Sequence, residues 1–298
     1  MSEENYGPLT LIRGENRGRY PYCHSVFIPG AGILIDPSSD REQLIRLRDE
    51  GAVKTVWLSH WHEDHLMHLD LFDDLPLWMA EEDAPPLADV EVFLDWYQID
   101  RPDERAYWRK ILLKQFHFHP RRPARFMRDG EVIDLGGVTV EVLRTPGHSP
   151  GHLAFFFREP KILFLGDYDL TPIGPWYGDL HSSIEDTLAS IRRLRAIPAE
   201  RCLSCHETGV FDGPVEALWD GYEGTVFERE RRYLELLEEP KTLAEIMGAW
   251  VFYGRPKEPR DFYEFGERVH AGKHLDWLKA KGLLVERDGK FMSPSSEL

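Results

Sequence analysis

The chain has 298 residues, 42% hydrophobic and 30% charged, an ordinary balance for a globular protein and enough for one large domain with an appendage. Its formal net charge of −16 disfavours general nucleic-acid binding, because an acidic surface repels phosphate backbones. No apolar run approaches the ~20 residues of a spanning helix, and Met-Ser-Glu-Glu-Asn-Tyr at the N-terminus has no basic or apolar signal character, so a cytoplasmic protein that does not enter membranes is expected. Cys23, Cys202 and Cys205 are too few and too scattered for a disulfide framework.

In chain order, Leu9–Ile12 reads as a short strand, and 24–28 with 32–36 as a hairpin around Pro-Gly-Ala-Gly. Ser38 or Ser39 is expected to cap a helix to about Glu50, followed by a buried strand over 53–58. The stretch from Leu71 to Gln115 reads as less regular, with Pro-containing breaks and amphipathic helical stretches, and is rich in aromatics (Trp78, Phe93, Trp96, Tyr97, Tyr107, Trp108), suiting either core packing or a cap over a pocket. Strands are expected over 130–143, 153–157, 162–165 and 201–204, with a helix over 183–195. Strands and helices in this rhythm indicate a mixed α/β (α+β) layered domain over 1–225. Residues 226–298 read differently: helices over 228–239, 242–250 and 262–281, then a hairpin tipped by Asp288-Gly289. That pattern is winged-helix-like. With 13 Lys/Arg against 14 Asp/Glu, this unit lacks a basic stripe; the rest of the chain carries 23 against 38.

The chemistry concentrates in Ser59-His60-Trp61-His62-Glu63-Asp64-His65, where four groups able to bind a metal follow an apolar strand. Imidazole and carboxylate suit zinc, and also iron or manganese. Three more candidates end predicted strands: His148 after Arg144-Thr145-Pro146-Gly147, Asp167 after Phe164-Leu165-Gly166, and His206 after Leu203-Ser204-Cys205. The order His-x-His-x-Asp-His, then His, Asp and His, resembles the metallo-β-lactamase-fold hydrolases from Leu9 to about Gly213. That resemblance implies a four-layered αββα sandwich holding two divalent metal ions at one edge. Carried over by position, His60, His62 and His148 would bind one ion, Asp64, His65 and His206 the other, and Asp167 would bridge. Two such ions acidify a shared water and polarise a substrate oxygen, with Asp64 taking up the proton.

Other residues carry less. Cys202-Leu203-Ser204-Cys205-His206 matches the haem-attachment spacing, but His206 is the seventh ligand, so packed strand cysteines are expected. His117 and His119 are read as structural or surface residues, His152 as a structural histidine of the Pro-Gly-His loop, and His68 as a helix residue near the pocket at most. Tyr168, Trp176 and Tyr177 are candidate substrate-binding residues, with packing the alternative. Leu66-Met67-His68 stands where many relatives have small residues, so the substrate is not transferred from glyoxalase II or the lactonases.

The C-terminal unit resembles the winged-helix extension of the β-lactamase-like-protein-2 branch, through Glu239 to Ile246, His274 to Leu278 and Gly282 to Leu284. It is expected to shape the pocket or a homodimer contact. The leading reading is a dinuclear hydrolase using a metal-bridging hydroxide on a small thioester, lactone or other ester-like molecule. Alternatives are a metal-dependent single-strand endoribonuclease and a mononuclear iron persulfide dioxygenase. A diiron reductase is disfavoured, since His62 stands where those relatives carry Glu, and seven intact ligands argue against a binding protein with a dead site.

Overall fold

The computed structural model describes residues 3–294. Seven strands form the first sheet in sequence order: β1 (Glu3–Tyr6), β2 (Leu9–Ile12), β3 (Ser25–Ile28), β4 (Ile33–Ile35), β5 (Thr55–Trp57), β6 (Leu77–Met79) and β7 (Arg125–Phe126). The first four pair antiparallel and the rest parallel. The second sheet holds β8 (Val132–Asp134), β9 (Thr139–Arg144), β10 (Leu153–Phe157), β11 (Ile162–Phe164), β12 (Arg201–Leu203) and β13 (Val210–Asp212). All its pairings are antiparallel except β11 with β12.

Alternation along the strands builds the layers. Leu153, Phe155 and Phe157 of β10 share an intersheet core with Leu9, Val26, Ile35 and Trp57. Ala154 and Phe156 point the other way, onto the outer cluster with Ile191, Leu194, Trp219 and Tyr222. Val56, Leu58 and Leu34 likewise face a second outer cluster with Leu44, Phe93 and Leu112. Each fully buried Val, Leu, Ile or Phe among these contributes about 1.5–3 kcal/mol relative to exposure. The helices on those outer faces complete an αββα sandwich: α1 (Arg41–Asp49), α2 (Ala84–Ala88), α3 (Val90–Trp96) and α4 (Pro102–Lys114) on one side, α5 (Ile184–Arg195) and α6 (Glu216–Leu236) on the other. α1 is capped by Asp40, which accepts from the Gln43 amide at 3.0 Å, rather than by Ser38 or Ser39. Both serine amides instead donate to Ser25 Oγ at 3.2 Å. Ser183 caps α5 through the Asp186 amide.

Beyond position 226, α6 runs unbroken from Glu216, twelve residues before the expected start at 228. α7 (Leu243–Gly248) opens on the Thr242/Glu245 capping box, and α8 (Arg260–Ala280) follows. β14 (Lys241–Thr242) pairs with β16 (Lys290–Met292), which pairs with β15 (Val285–Arg287) around the Asp288-Gly289 turn. Tyr233, Leu237, Ile246, Leu275, Leu278 and Leu284 form a small core there. Among the described residues, no helix is long and apolar enough to cross a membrane.

Candidate metal centre

The loops after β5, β9, β11 and β12 carry His60–His65, His148, Asp167 and His206 to one edge of the sandwich, at the carboxyl ends of these strands. There the seven residues fall into two adjoining groups. In the first, His60 Nε2 lies 3.0 Å from His62 Nδ1, and His148 Nε2 lies 3.1 Å and 2.9 Å from these two atoms. In the second, Asp64, His65 and His206 converge, with His206 Nε2 3.5 Å from Asp64 Oδ2. Asp167 reaches both. Its Oδ1 is 2.9 Å from His65 Nε2 and 3.2 Å from His206 Nε2, while Oδ2 is 3.4 Å from His148 Nε2.

The outer partners of the histidines decide what the inner nitrogens can do. His62 Nε2–H donates to Asp179 Oδ2 at 2.6 Å and His65 Nδ1–H to Asp36 Oδ2 at 3.0 Å. His60 Nδ1–H donates to Ser59 Oγ at 3.0 Å, whose own hydroxyl donates to Asp36 Oδ2 at 2.6 Å. His206 Nδ1–H donates to the Gly18 carbonyl at 2.6 Å and His148 Nδ1–H to that of Trp176 at 3.3 Å. A neutral imidazole has one N–H, so each inner nitrogen presents a lone pair. Lone pairs aimed at one another at about 3 Å repel unless a cation lies among them. His65 Nε2 and Asp167 Oδ1 are buried and lack an aligned hydrogen bond among the described residues, despite their 2.9 Å approach. The donor set therefore fits divalent metal ions.

The electrostatics agree. Burial, reinforced by His65, holds His60 well below the ordinary imidazole range, and burial pushes His148 down to about 3. Burial also pulls on His62, but Asp179 more than reverses it, to about 9. Burial opposes charge on His65, His206 and Asp167 alike, yet their mutual attraction wins, raising both histidines and holding the carboxyl well down. Protons thus supply positive charge that a metal would displace.

Backbone details set these positions. Gly18 has φ +65°, and a Cβ there would lie 2.5 Å from the His24 ring, so glycine is needed to bring its carbonyl to His206. Gly166, at φ +57°, passes His152 with room for no side chain, and His152 Nε2 accepts the Asp167 amide at 3.1 Å. His152 is thus structural, as expected.

A cavity of about 630 Å³ opens beside the cluster, lined by His62, Asp64, His148, Asp167 and His206. Tyr97, Ile99 and Trp108 line it too, so part of the aromatic segment does cap the pocket. Phe93 is core, Trp78 stacks on Trp57, and Tyr107 is exposed. Phe252, Tyr253, Lys257, Phe262, Tyr263 and Phe265 bring the C-terminal segment to the same cavity.

Of the three candidate substrate residues, Trp176 lines the cavity. Tyr168 and Tyr177 are fully buried and are not among its lining residues. The Tyr168 hydroxyl donates to the Pro146 carbonyl at 2.8 Å, and the Tyr177 hydroxyl accepts from Arg229 at 2.8 Å and meets His274. Arg229 is buried and also donates to the Pro175 and Ile173 carbonyls, pinning the loop that carries Trp176. Glu63, between His62 and Asp64, accepts from Tyr20 Oη at 2.8 Å and from Tyr97 Oη. His68 takes a hydrogen bond from Arg41, His117 donates to the Met67 carbonyl, and His119 meets Asp73. The cysteines are free and buried, with Cys205 Sγ 3.5 Å from Asp36. Asp36, Asp179 and Gly18 escaped the sequence reading because nothing local marks them as partners of distant histidines.

The profile of the metallo-beta-lactamase superfamily matches residues 18–206. The chain is 35% identical over 198 residues to acyl-coenzyme A thioesterase MBLAC2 of Gallus gallus, covering 64% of this chain and 67% of that one. It is 31% identical over 170 residues to hydroxyacylglutathione hydrolase GloC of Haemophilus influenzae, covering 55% and 73%. Its fold matches a metallo-beta-lactamase family protein of Thermus thermophilus with a TM-score of 0.72 at 24% identity, over 96% of this chain and 98% of the other. The matched span holds all seven clustered residues, and the chain belongs to the metallo-beta-lactamase superfamily and is a metallo-hydrolase of that family.

Proposed function

We propose that the protein is a dinuclear thioester hydrolase. The observation that carries this reading is the Asp167 carboxylate, one oxygen turned to each of two histidine groups, as a bridging ligand requires. His60, His62 and His148 would hold one divalent ion and Asp64, His65 and His206 the other; this nitrogen and oxygen set accepts zinc, iron or manganese. The chemistry such ions supply when bound is Lewis acidity, which activates water and polarises a carbonyl oxygen. Asp64 lines the cavity and would take the proton of the attacking water. Tyr97 and Trp176 wall off bulk solvent on the His62 and His148 side.

Thioester as the substrate class is supported by relatives named for it: an acyl-coenzyme A thioesterase, a hydroxyacylglutathione hydrolase, and an atrochrysone carboxyl ACP thioesterase of Pseudocercospora fijiensis. The test is turnover of thioesters, lactones and a fluorescent RNA by the metal-loaded protein, with metal counted per chain. Thioester hydrolysis at two ions per chain is expected, lost in His62→Ala. Faster RNA cleavage that His62→Ala abolishes would install the nuclease, and a single iron per chain would install the dioxygenase. Asp64→Asn turning over normally at unchanged metal content would remove the proton-accepting role.

A further inference from the structure

The cavity has two chemically different walls, and each abuts a different ligand group. One is aromatic. The Tyr97 ring stacks on His62, with centroids 5.6 Å apart and planes 19° from parallel. Phe265 lies at the centre of this wall, 6.0 Å from Tyr97, 6.1 Å from Trp108 and 6.4 Å from Trp176. The Trp176 carbonyl in turn holds His148. Behind the wall Trp108, Tyr97 and Phe265 merge into the core, so its surface is fixed by packing.

The other wall is polar and continues from His206. Gly18 and Glu207 touch or adjoin that histidine, and Arg19 grips Glu207 through two contacts of 3.1 Å. Both side chains are over 40% exposed, and Asn16 lies beside them on the lining. An apolar group gains by leaving water for the face formed by Phe265, Trp108 and Trp176, whereas a polar group against those rings would lose hydration. The reverse holds at the Arg19–Glu207 wall, where water stays available.

We propose, resting on the thioesterase reading, that this polarity fixes the direction in which a thioester lies. The acyl group is apolar or aromatic and sits against Phe265, on the side of His62 and His148. The polar thiol carrier lies across Arg19, on the side of His206, and departs there. In the reaction the water oxygen bonds to the acyl carbon and the carbon–sulfur bond breaks. The acid leaves as carboxylate with release of one proton, and the carrier leaves as thiol. Phe265 and Arg19 are then specificity residues for opposite ends of one molecule.

The experiment is steady-state kinetics of the metal-loaded full chain on acetyl, hexanoyl and phenylacetyl thioesters, each made with glutathione, coenzyme A and N-acetylcysteamine. Wild type is expected to favour phenylacetyl over acetyl by about tenfold or more in kcat/KM with every carrier, the scale at which an apolar pocket discriminates. Phe265→Ala should shrink that ratio by about tenfold and leave the order of carriers in place. Arg19→Gln should change the order of carriers and leave the acyl ratio. Phe265→Leu, with a thermal melt and metal count on each variant, guards against a folding defect, and should give an intermediate ratio. Equal turnover of acetyl and phenylacetyl, or Phe265 variants that reorder carriers instead of acyl groups, would overturn the orientation. Absence of turnover for all nine thioesters would instead overturn the thioesterase reading beneath it.

Discussion

The ligand cluster and the aromatic wall meet at His62, yet they are held by different forces. Each histidine of the cluster is fixed by a directional bond at its outer nitrogen, from carboxylates at Asp36 and Asp179 to backbone carbonyls at Gly18 and Trp176. The wall has fewer such bonds on its rings; Phe265 and Trp108 are placed by packing, whereas Trp176 also donates its Nε1–H to Asp179 Oδ1 at 3.2 Å and Arg229 secures its loop. Directional bonds fix atoms to the tolerance that metal ligation needs, while packing fixes a surface whose contour can change one side chain at a time. Damage to the cluster should therefore remove chemistry, and damage to the wall should redirect it.

The largest departure is expected at the bridge. Asp167→Ala should lower kcat/KM by roughly a thousandfold or more and reduce bound metal, measured by elemental analysis beside kinetics. Full activity in that variant would break the comparison at its root. Next come the outer carboxylates. Asp179→Asn should weaken metal binding ten- to roughly a hundredfold at one ion, and Asp36→Asn at both, because Asp36 supports His65 directly and His60 through Ser59. A titration with a competing chelator separates one weakened site from two. Arg229→Met, which strips hydrogen bonds from the Trp176 loop, should cost about 2 kcal/mol and lower Tm by several degrees. On the kinetic side it should raise KM more than it lowers kcat.

The last effect is one of pH. Asp83 is buried, and burial lifts its carboxyl to about 7, against donated bonds from Ser149 Oγ and the Gly151 amide. A folded carboxyl raised above its unfolded value of 3.8 binds more protons in the native state between those limits. Stability should accordingly fall as pH rises from about 4 to 7, and Asp83→Asn should flatten that dependence in thermal melts. A slope of the same size in the variant would assign the effect elsewhere.

The cluster was legible in the sequence because its members are written locally: four within six residues, and three more at strand ends, His148 and Asp167 each directly after a glycine. A layered α/β domain was legible from the rhythm of strands and helices, while the four-layered sandwich followed from the family resemblance; the apolar run at 153–157 is buried on both faces because β10 lies between two cores. Neighbours in sequence need not share surroundings. Tyr168 follows Asp167 and Tyr177 follows Trp176, yet both turn their hydroxyls into the interior. The early start of α6 was hidden by Gly221 and Gly224, which lower helix propensity but are tolerated within a packed helix. The wall was invisible as a unit, since Tyr97, Trp176 and Phe265 become neighbours only through tertiary packing.

Asp36 has a consequence for how such a centre can change over generations. One side chain props a ligand of each group, so the two positions share a single foundation. A lineage moving toward a single-ion site could not erode one half by altering Asp36 without loosening the other. Divergence would have to begin at supports private to one side, such as Asp179 or Gly18.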